Sequence, residues 1–116
     1  MHEMSLVSSV LDIVEDYASR HRFGRVNTVR LSFGALSGIE PDALKFAFEV
    51  LSEETRCRGA ALEFDILPAR VHCFACGRES EVLGFPADCP HCGSAQVTPT
   101  GGFDGLMLEE LDVEKE

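Results

Sequence analysis

Two pairs of cysteines are the residues of this 116-residue chain with the clearest capacity for chemistry. Cys73 and Cys76 form one C-x2-C motif, Cys89 and Cys92 form a second, and residues 77–88 separate them. Four thiolates supplied as two chelating pairs complete a tetrahedral shell of sulfur ligands, which is typical of structural zinc sites. The spacing therefore predicts a structural Zn(II) site with no coordination position left for a substrate.

A glycine follows each motif directly, Gly77 after the first and Gly93 after the second. Glycine readily adopts the left-handed backbone conformations of tight turns, so these positions suit a chain that wraps around a metal ion. Redox-active dithiols, disulfides and unligated thiols are the alternatives, and the doubled spacing favours a metal over all three. Iron also accepts four thiolates, so the spacing does not distinguish iron from the default, zinc.

The first three residues, Met1, His2 and Glu3, form a second candidate metal site. The terminal amine, the amide nitrogen of His2 and its imidazole Nδ1 can close fused five- and six-membered chelate rings in one plane. Three coplanar nitrogens suit Ni(II) or Cu(II) better than Zn(II) or Mg(II). A carboxylate from Glu3 or Glu40 could supply the fourth ligand of a square-planar site. A solvated terminal histidine explains the same residues without a metal, and the residues alone leave both explanations open.

The charge of the chain argues against nucleic acid as a partner. Twenty acidic and ten basic residues give a formal net charge of -10. A phosphate-binding surface needs clustered lysine and arginine, and the cysteine-containing segment offers only Arg70 and Arg78. We predict no nucleic-acid partner.

Several further patterns bear on compartment and class of function. No stretch approaches the roughly 18 consecutive apolar residues of a membrane span, and the start lacks the layout of a signal peptide. Four metal-bound thiolates suit a reducing compartment, so we expect a cytoplasmic protein without a membrane partner. We predict no enzymatic activity, because the sequence has no glycine-rich phosphate loop and the closed sulfur cage leaves no open position. Cys57 is expected to be a spectator thiol, unless its flanking arginines lower its pKa.

Helical periodicity appears in two segments of the chain. The first predicts a helix over residues 4–21 that stops near Gly24. The second has an apolar stripe over residues 43–51, and Pro41 suits its first position, which puts Glu40 at or beside its N-cap.

Alternating apolar and polar residues predict strands over residues 28–33 and 62–67, and a last strand over 106–113. The order strand, helix, strand along the chain predicts a right-handed crossover between two parallel strands. We therefore predict an α+β fold in which two helices lie on one face of a small three-stranded sheet, with a tetra-cysteine zinc ribbon inserted between its second and third strands.

The predicted organisation has two domains. Residues 1–68 plus 103–116 would form an α/β domain that carries the nickel site, and residues 69–102 would form the zinc ribbon. Short strands are expected inside the ribbon around Val71 and Val97, with a further one over residues 82–85.

Several of these segments together resemble one family, the HypA/HybF nickel metallochaperones. The resemblance rests on the MHEMS start, on GALSG at residues 34–38, on EPDAL at residues 40–44 and on the two C-x2-C motifs. It extends essentially from end to end. It implies a protein that binds Ni(II) at its N-terminus and delivers it for maturation of [NiFe]-hydrogenase, and in some members also urease.

The resemblance also implies partners. They are a HypB-type GTPase and the hydrogenase large subunit or its maturation complex, with self-association into a homodimer as an open alternative. The alternative function is a zinc-ribbon protein-protein interaction module without specific nickel binding.

Carried onto this chain, the resemblance implies that His2 and Glu3 bind nickel, with the Met1 amine and Glu40 as further candidates. Some members have an aspartate at the position of Glu40. The implied zinc ligands are Cys73, Cys76, Cys89 and Cys92. His72 and His91 each precede a cysteine of the cage, where hydrogen bonding around the site is expected rather than ligation; a protonation-dependent link between the cage and the nickel site is the alternative.

Overall fold

The computed structural model describes residues 2–115, apart from the side chain of His2. Over these residues the chain forms α1 (His2–His21), β1 (Phe23–Gly34), α2 (Pro41–Leu51), β2 (Ala61–Leu67), β3 (Ala69–Cys73), β4 (Glu79–Val82), β5 (Val97–Gly101) and β6 (Met107–Lys115). Two compact units result. The first contains the chain up to Leu31, residues Ile39–Asp65 and the chain from Met107 onward; the second contains Ser32–Gly38 and Ile66–Leu106.

Helix α1 buries one apolar stripe along its whole length. The buried members recur at helical spacing and are Val7, Val10, Leu11, Val14 and Ala18. The helix begins two residues earlier than the predicted 4–21. The helix ends at His21, as predicted, but the residue that ends it is Arg22 and not Gly24: Arg22 adopts the left-handed conformation at φ 59°, and its amide donates to the Ala18 carbonyl at 2.8 Å. Because Arg22 closes the last turn, β1 can begin at Phe23.

Helix α2 begins as predicted, with Glu40 as N-cap and Pro41 in the first turn. It packs against α1 and buries Leu44, Ala47 and Phe48. The predicted stripe over residues 43–51 was too broad, because the structure leaves Ala43 and Val50 exposed. Only one side of this 11-residue helix is covered.

The sheet of the first unit has the strand order β2-β1-β6. Strand β1 is central and begins at Phe23, five residues before the predicted start, because Phe23 and Val26 are buried as well as Val29 and Leu31. Strand β2 ends at Leu67, immediately before Pro68, as expected for a residue that cannot donate a ladder hydrogen bond. The predicted α+β class, two helices with a three-stranded sheet and an inserted cysteine segment, is confirmed.

The second unit contains an antiparallel sheet with the order β4-β3-β5. Strand β4 covers Glu79–Val82, so the predicted strand over 82–85 was wrong. In the register of this sheet His72 pairs with Glu79 and Ala69 pairs with Val82. Because β3 begins at Ala69, its ladder with β4 ends at Val82. Leu83, the next residue, is fully exposed.

Two glycines hold the second unit's N-terminal segment against its C-terminal end. The Gly34 amide donates to the Asp104 carbonyl at 2.8 Å, and the Leu36 amide donates to the Gly102 carbonyl at 2.7 Å. A Cβ atom built on Gly34 would lie 2.1 Å from the Gly102 oxygen. Only glycine fits this approach, so residues 32–38 pack with the cysteine-containing unit.

Neither α1 nor α2 combines the length and the apolar character that crossing a membrane would require.

Candidate metal centres

The two cysteine motifs adopt the same local backbone structure. The Gly77 amide donates to the Cys73 carbonyl and the Gly93 amide to the Cys89 carbonyl, each at 2.8 Å. Both glycines have positive φ, 77° and 78°, as expected for the residue that closes such a turn. Each turn therefore presents its two sulfurs toward the same point.

The four cysteine sulfurs meet in one cluster, with every pair within 4.8 Å. The Sγ atoms of Cys73 and Cys92 are 3.6 Å apart, and those of Cys76 and Cys89 are 3.7 Å apart. A tetrahedral ion with metal–sulfur bonds of about 2.3 Å would give sulfur–sulfur edges of about 3.8 Å. A disulfide bond needs about 2.05 Å. The spacing thus fits a four-coordinate metal and does not fit disulfides.

Backbone amides point at the sulfurs of the first cysteine in each motif. The Cys76 amide donates to Cys73 Sγ at 3.5 Å, and the His91 amide donates to Cys89 Sγ at 3.4 Å. Hydrogen bonds of this kind favour the thiolate. The Cys76 amide lowers the pKa of Cys73, and the amides of Cys92 and His91 lower the pKa of Cys89 to about 6.

Cys92 behaves in the opposite way. The Ser94 amide lowers its pKa, but the neighbouring sulfurs of Cys73, Cys89 and Cys76, together with burial, outweigh that effect and raise the pKa of Cys92 to about 11. Several thiolates cannot share so small a volume without a counter-charge. A divalent cation would supply that charge and displace the remaining protons.

The two histidines beside the cage contact its surroundings. His91 Nδ1 lies 3.3 Å from Arg78 Nη1, and His72 Nδ1 lies 3.7 Å from Glu79 Oε2. Neither belongs to the cluster of ligand atoms, which consists of the four cysteines among the described residues.

Cys57 lies apart from the cage and is fully buried. Burial, followed by the negative charge of Glu15, raises the pKa of Cys57 to about 11. Arg56 donates to Glu15 Oε1 at 3.0 Å. The idea that flanking arginines activate this thiol was wrong, because Arg56 is paired with a carboxylate and the thiol has no access to water.

The first turns of α1 and α2 meet at the start of the chain. The Glu40 amide donates to Glu3 Oε2 at 3.2 Å, while the Glu40 side chain itself makes no capping hydrogen bond. A carboxylate at this position is stabilised by the positive end of the α2 dipole. The structure therefore brings together two of the predicted nickel-site residues, Glu3 and Glu40. The other two candidates, the Met1 amine and the His2 side chain, lie outside the described residues.

Sequence reasoning missed the amide donors at Cys76 and His91 and the capping role of Glu3. The glycine after each motif was a signal for the donors, because the turn that needs it aims its amides inward. The signal for Glu3 was the weak N-cap residue before Pro41, since glutamate is not among the preferred N-cap types.

Comparison with known proteins places the whole chain in one family. A family model described as "Hydrogenase/urease nickel incorporation, metallochaperone, hypA" matches residues 1–113. The hydrogenase maturation factor HypA of Syntrophus aciditrophicus (strain SB) is 56% identical over 114 residues, which cover 98% of this chain and 100% of that protein. The hydrogenase maturation factor HybF of Klebsiella pneumoniae is 40% identical with the same coverage.

Solved structures agree. The solution structure of the Ni metallochaperone HypA from Helicobacter pylori matches with a TM-score of 0.66 and 26% identity, and the match covers 100% of both chains. With its sulfur cage and its family match over residues 1–113, this chain belongs to the HypA family of nickel-incorporation metallochaperones, which act in hydrogenase maturation.

Proposed function

We propose that this chain binds one Ni(II) ion at its N-terminus, through His2 and Glu3, and releases it to a hydrogenase precursor. The observation that carries the proposal is the contact between Glu3 and the Glu40 amide. It holds a carboxylate of the first turn of α1 at the positive end of α2, one residue from the His2 nitrogens. Ni(II) is the cargo in this scheme and is not a resident cofactor.

The backbone of His2 supports the same ligand set. Because α1 begins at His2, the His2 amide is one of the four N–H groups that have no acceptor within the helix. The positive end of the helix dipole also favours an amide nitrogen that has lost its proton to a metal. The imidazole of His2 and the Glu3 carboxylate would add two ligands, and the Met1 amine or Glu40 would complete a square-planar set suited to Ni(II).

In the same proposal the four cysteines hold Zn(II) with a structural role. A four-thiolate shell leaves no position for a substrate, so we expect stabilisation of the ribbon and no catalysis by this site. Residues 69–102 would form the centre of this zinc-ribbon domain, with Ser32–Gly38 packed in the same unit, and the rest of residues 1–68 with 103–116 would form the nickel-binding domain.

The proposed partners are those that the family resemblance implies. Delivery would involve a HypB-type GTPase and the hydrogenase large subunit in the cytoplasm. Urease is a further recipient, supported by the family description. A homodimer is compatible with this scheme.

The decisive experiment compares Ni(II) binding by the wild type and His2→Ala, measured by isothermal titration with zinc content recorded in parallel. We expect the variant to lose specific Ni(II) binding and to keep its zinc, because the cage uses cysteines only. His21→Ala is the matched control, since it removes a histidine from the other end of α1. Binding by the wild type should weaken as the pH falls below about 6.5, where protons compete for an ordinary imidazole. Unchanged binding by His2→Ala would overturn the proposal and favour the zinc-ribbon interaction module.

A second comparison identifies the remaining ligands. Residues added before Met1 remove the free amine and leave His2 and Glu3 in place. A modest loss of Ni(II) affinity that becomes severe when Glu3→Gln is added would assign the carboxylate as a ligand, because a neutral amide binds metal more weakly. A complete loss from the extension alone would assign the amine instead.

A further inference from the structure

Strand β6 has two different faces. On one face Leu111 and Val113 line a cavity of about 270 Å³ together with Tyr17, His21 and Phe23. Phe23, Leu111 and Val113 are apolar, and Tyr17 and His21 add two further rings. Leu111 and Val113 are partly exposed, so the cavity opens to solvent beside the strand.

The alternate residues of β6, Glu110 and Asp112, line a second cavity of about 320 Å³ with Thr28, Arg30 and Glu63. Successive side chains of a strand point to opposite faces, so this cavity belongs to the other side of the sheet.

This second face carries an excess of negative charge. Arg30 lies 3.0 Å from Glu63, 3.8 Å from Asp65 and 3.5 Å from Glu110. One guanidinium thus faces these three carboxylates, and Asp112 adds a fourth to the same face. The three ion-paired carboxylate side chains are each at least half exposed, so their charge is available to a partner.

The third feature of β6 is its position at the edge of the sheet. In the order β2-β1-β6 the strand is terminal, and within residues 2–115 no strand follows it in that sheet. A terminal strand presents a row of N–H and C=O groups to any extended segment that pairs with it.

We propose that β6 is a docking edge for an extended segment of a partner protein in which apolar and basic residues alternate. Backbone pairing along β6 would place every second side chain of the partner on the α1 side, where the 270 Å³ cavity accepts an apolar group. The intervening side chains would lie beside Glu110 and Asp112, where lysine or arginine is complementary.

A second copy of this chain is a poorer occupant. Two β6 strands side by side would oppose Glu110, Asp112 and Glu114 with the same acidic residues of the other copy. Like charges directly opposite each other are destabilising in a sheet. The acidic residues of β6 therefore favour pairing with a basic strand over pairing with a second β6.

The position of this edge suits a chaperone that must be held while its metal site stays accessible. Tyr17 lies fourteen residues after Glu3 on the same helix, about 21 Å away at 1.5 Å per residue. A segment bound at β6 would leave the first turn of α1 uncovered. We therefore expect docking at β6 and Ni(II) binding to be independent.

The test uses the acetylated and amidated peptide KVKVKVK as probe, with the full-length zinc-loaded protein. Titration should perturb the backbone NMR signals of β6 and those of Tyr17 and His21, and raising the salt concentration should weaken binding. Glu110→Lys combined with Asp112→Lys should weaken binding at least tenfold. The control is Glu49→Lys combined with Glu54→Lys, which changes the net charge equally at exposed positions outside β6. This control should weaken binding far less.

A second control changes the peptide and leaves the protein as it is. The same peptide with alternate backbone nitrogens methylated keeps its charge but cannot form a ladder, so its affinity should fall at least tenfold. Equal binding by the methylated peptide, equal weakening by the two double variants, or perturbation confined to other surfaces would overturn the proposal. So would a concentration-dependent dimer that buries β6, since a second copy would then occupy the edge. Ni(II) affinity should be the same with and without peptide, and this readout is separate from the proposed nickel function.

Discussion

Glu3 and Glu40 are 37 residues apart in the chain, and the carboxylate of the first accepts the backbone amide of the second at 3.2 Å. The contact serves two purposes at once. It satisfies one of the N–H groups at the start of α2, whose own N-cap side chain makes no capping bond. It also fixes a carboxylate beside the residues proposed to bind Ni(II). Stability and metal affinity should therefore both depend on Glu3, and two substitutions separate them.

Glu3→Ala should lower the free energy of unfolding by about 1 kcal/mol, the usual cost of losing a capping side chain. Glu3→Gln retains an oxygen that can accept the Glu40 amide, so its cost should be smaller. Both variants should bind Ni(II) more weakly, because both lose the charged ligand. Urea denaturation and nickel titration measure the two effects. If the alanine variant were as stable as the wild type, the contact would not act as a cap.

Cys73→Ala should release the zinc, about one ion per chain in the wild type, because three thiolates no longer close the shell. The sheet β4-β3-β5 should loosen, while α1 and α2 keep their helical circular dichroism because they bury their own apolar stripes. Metal analysis and circular dichroism measure these outcomes.

Cys57→Ala is the control, since Cys57 is the one cysteine outside the cluster. It should keep the zinc of the wild type. Loss of helical signal in Cys73→Ala would show that the two units do not fold independently.

Gly34→Ala should destabilise the second unit by about 1–3 kcal/mol, because the new methyl would stand 2.1 Å from the Gly102 carbonyl oxygen. Gly105→Ala is the matched control, because nothing lies within 4 Å of its Cβ position. The midpoint of thermal unfolding of each variant measures the difference. Equal midpoints would mean that the 32–38 segment can move away from Gly102 at little cost.

Because the pKa of Cys57 is raised in the folded chain, the free energy of unfolding should fall at alkaline pH. The thiol is held protonated up to about pH 11 in the folded chain, against 9.0 in the unfolded chain. Its contribution is therefore complete below pH 9 and is lost as the pH rises toward 11. The difference in unfolding free energy between wild type and Cys57→Ala should shrink over this window by an amount on the order of 2 kcal/mol. A difference that stays constant from pH 8 to 11 would contradict the buried, protonated thiol.

Most of the correct sequence predictions came from patterns within a single short segment of the chain. The C-x2-C-G motifs specify turns of a few residues, so the convergence of Cys73 with Cys76, and of Cys89 with Cys92, follows from short-range geometry. Helical periodicity located both helices, and Pro41 marked the start of α2, because these signals act within one or two turns. The strand predicted over residues 82–85 was wrong because the pairing of β4 with β3 ends at Val82.

Contacts between distant residues were decided by packing in three dimensions. Burial, followed by the charge of Glu15 from a position 42 residues earlier in the chain, raises the pKa of Cys57, and Gly34 meets Gly102 although no local pattern relates the two. Glu3 reaches Glu40 only because α1 and α2 pack against each other. Periodicity and spacing describe what one segment can form, whereas such pairs depend on which faces of different segments bury each other. The spacing of the cysteines therefore predicted which residues form the cage, and the packing of the helices determined where the carboxylate of Glu3 lies.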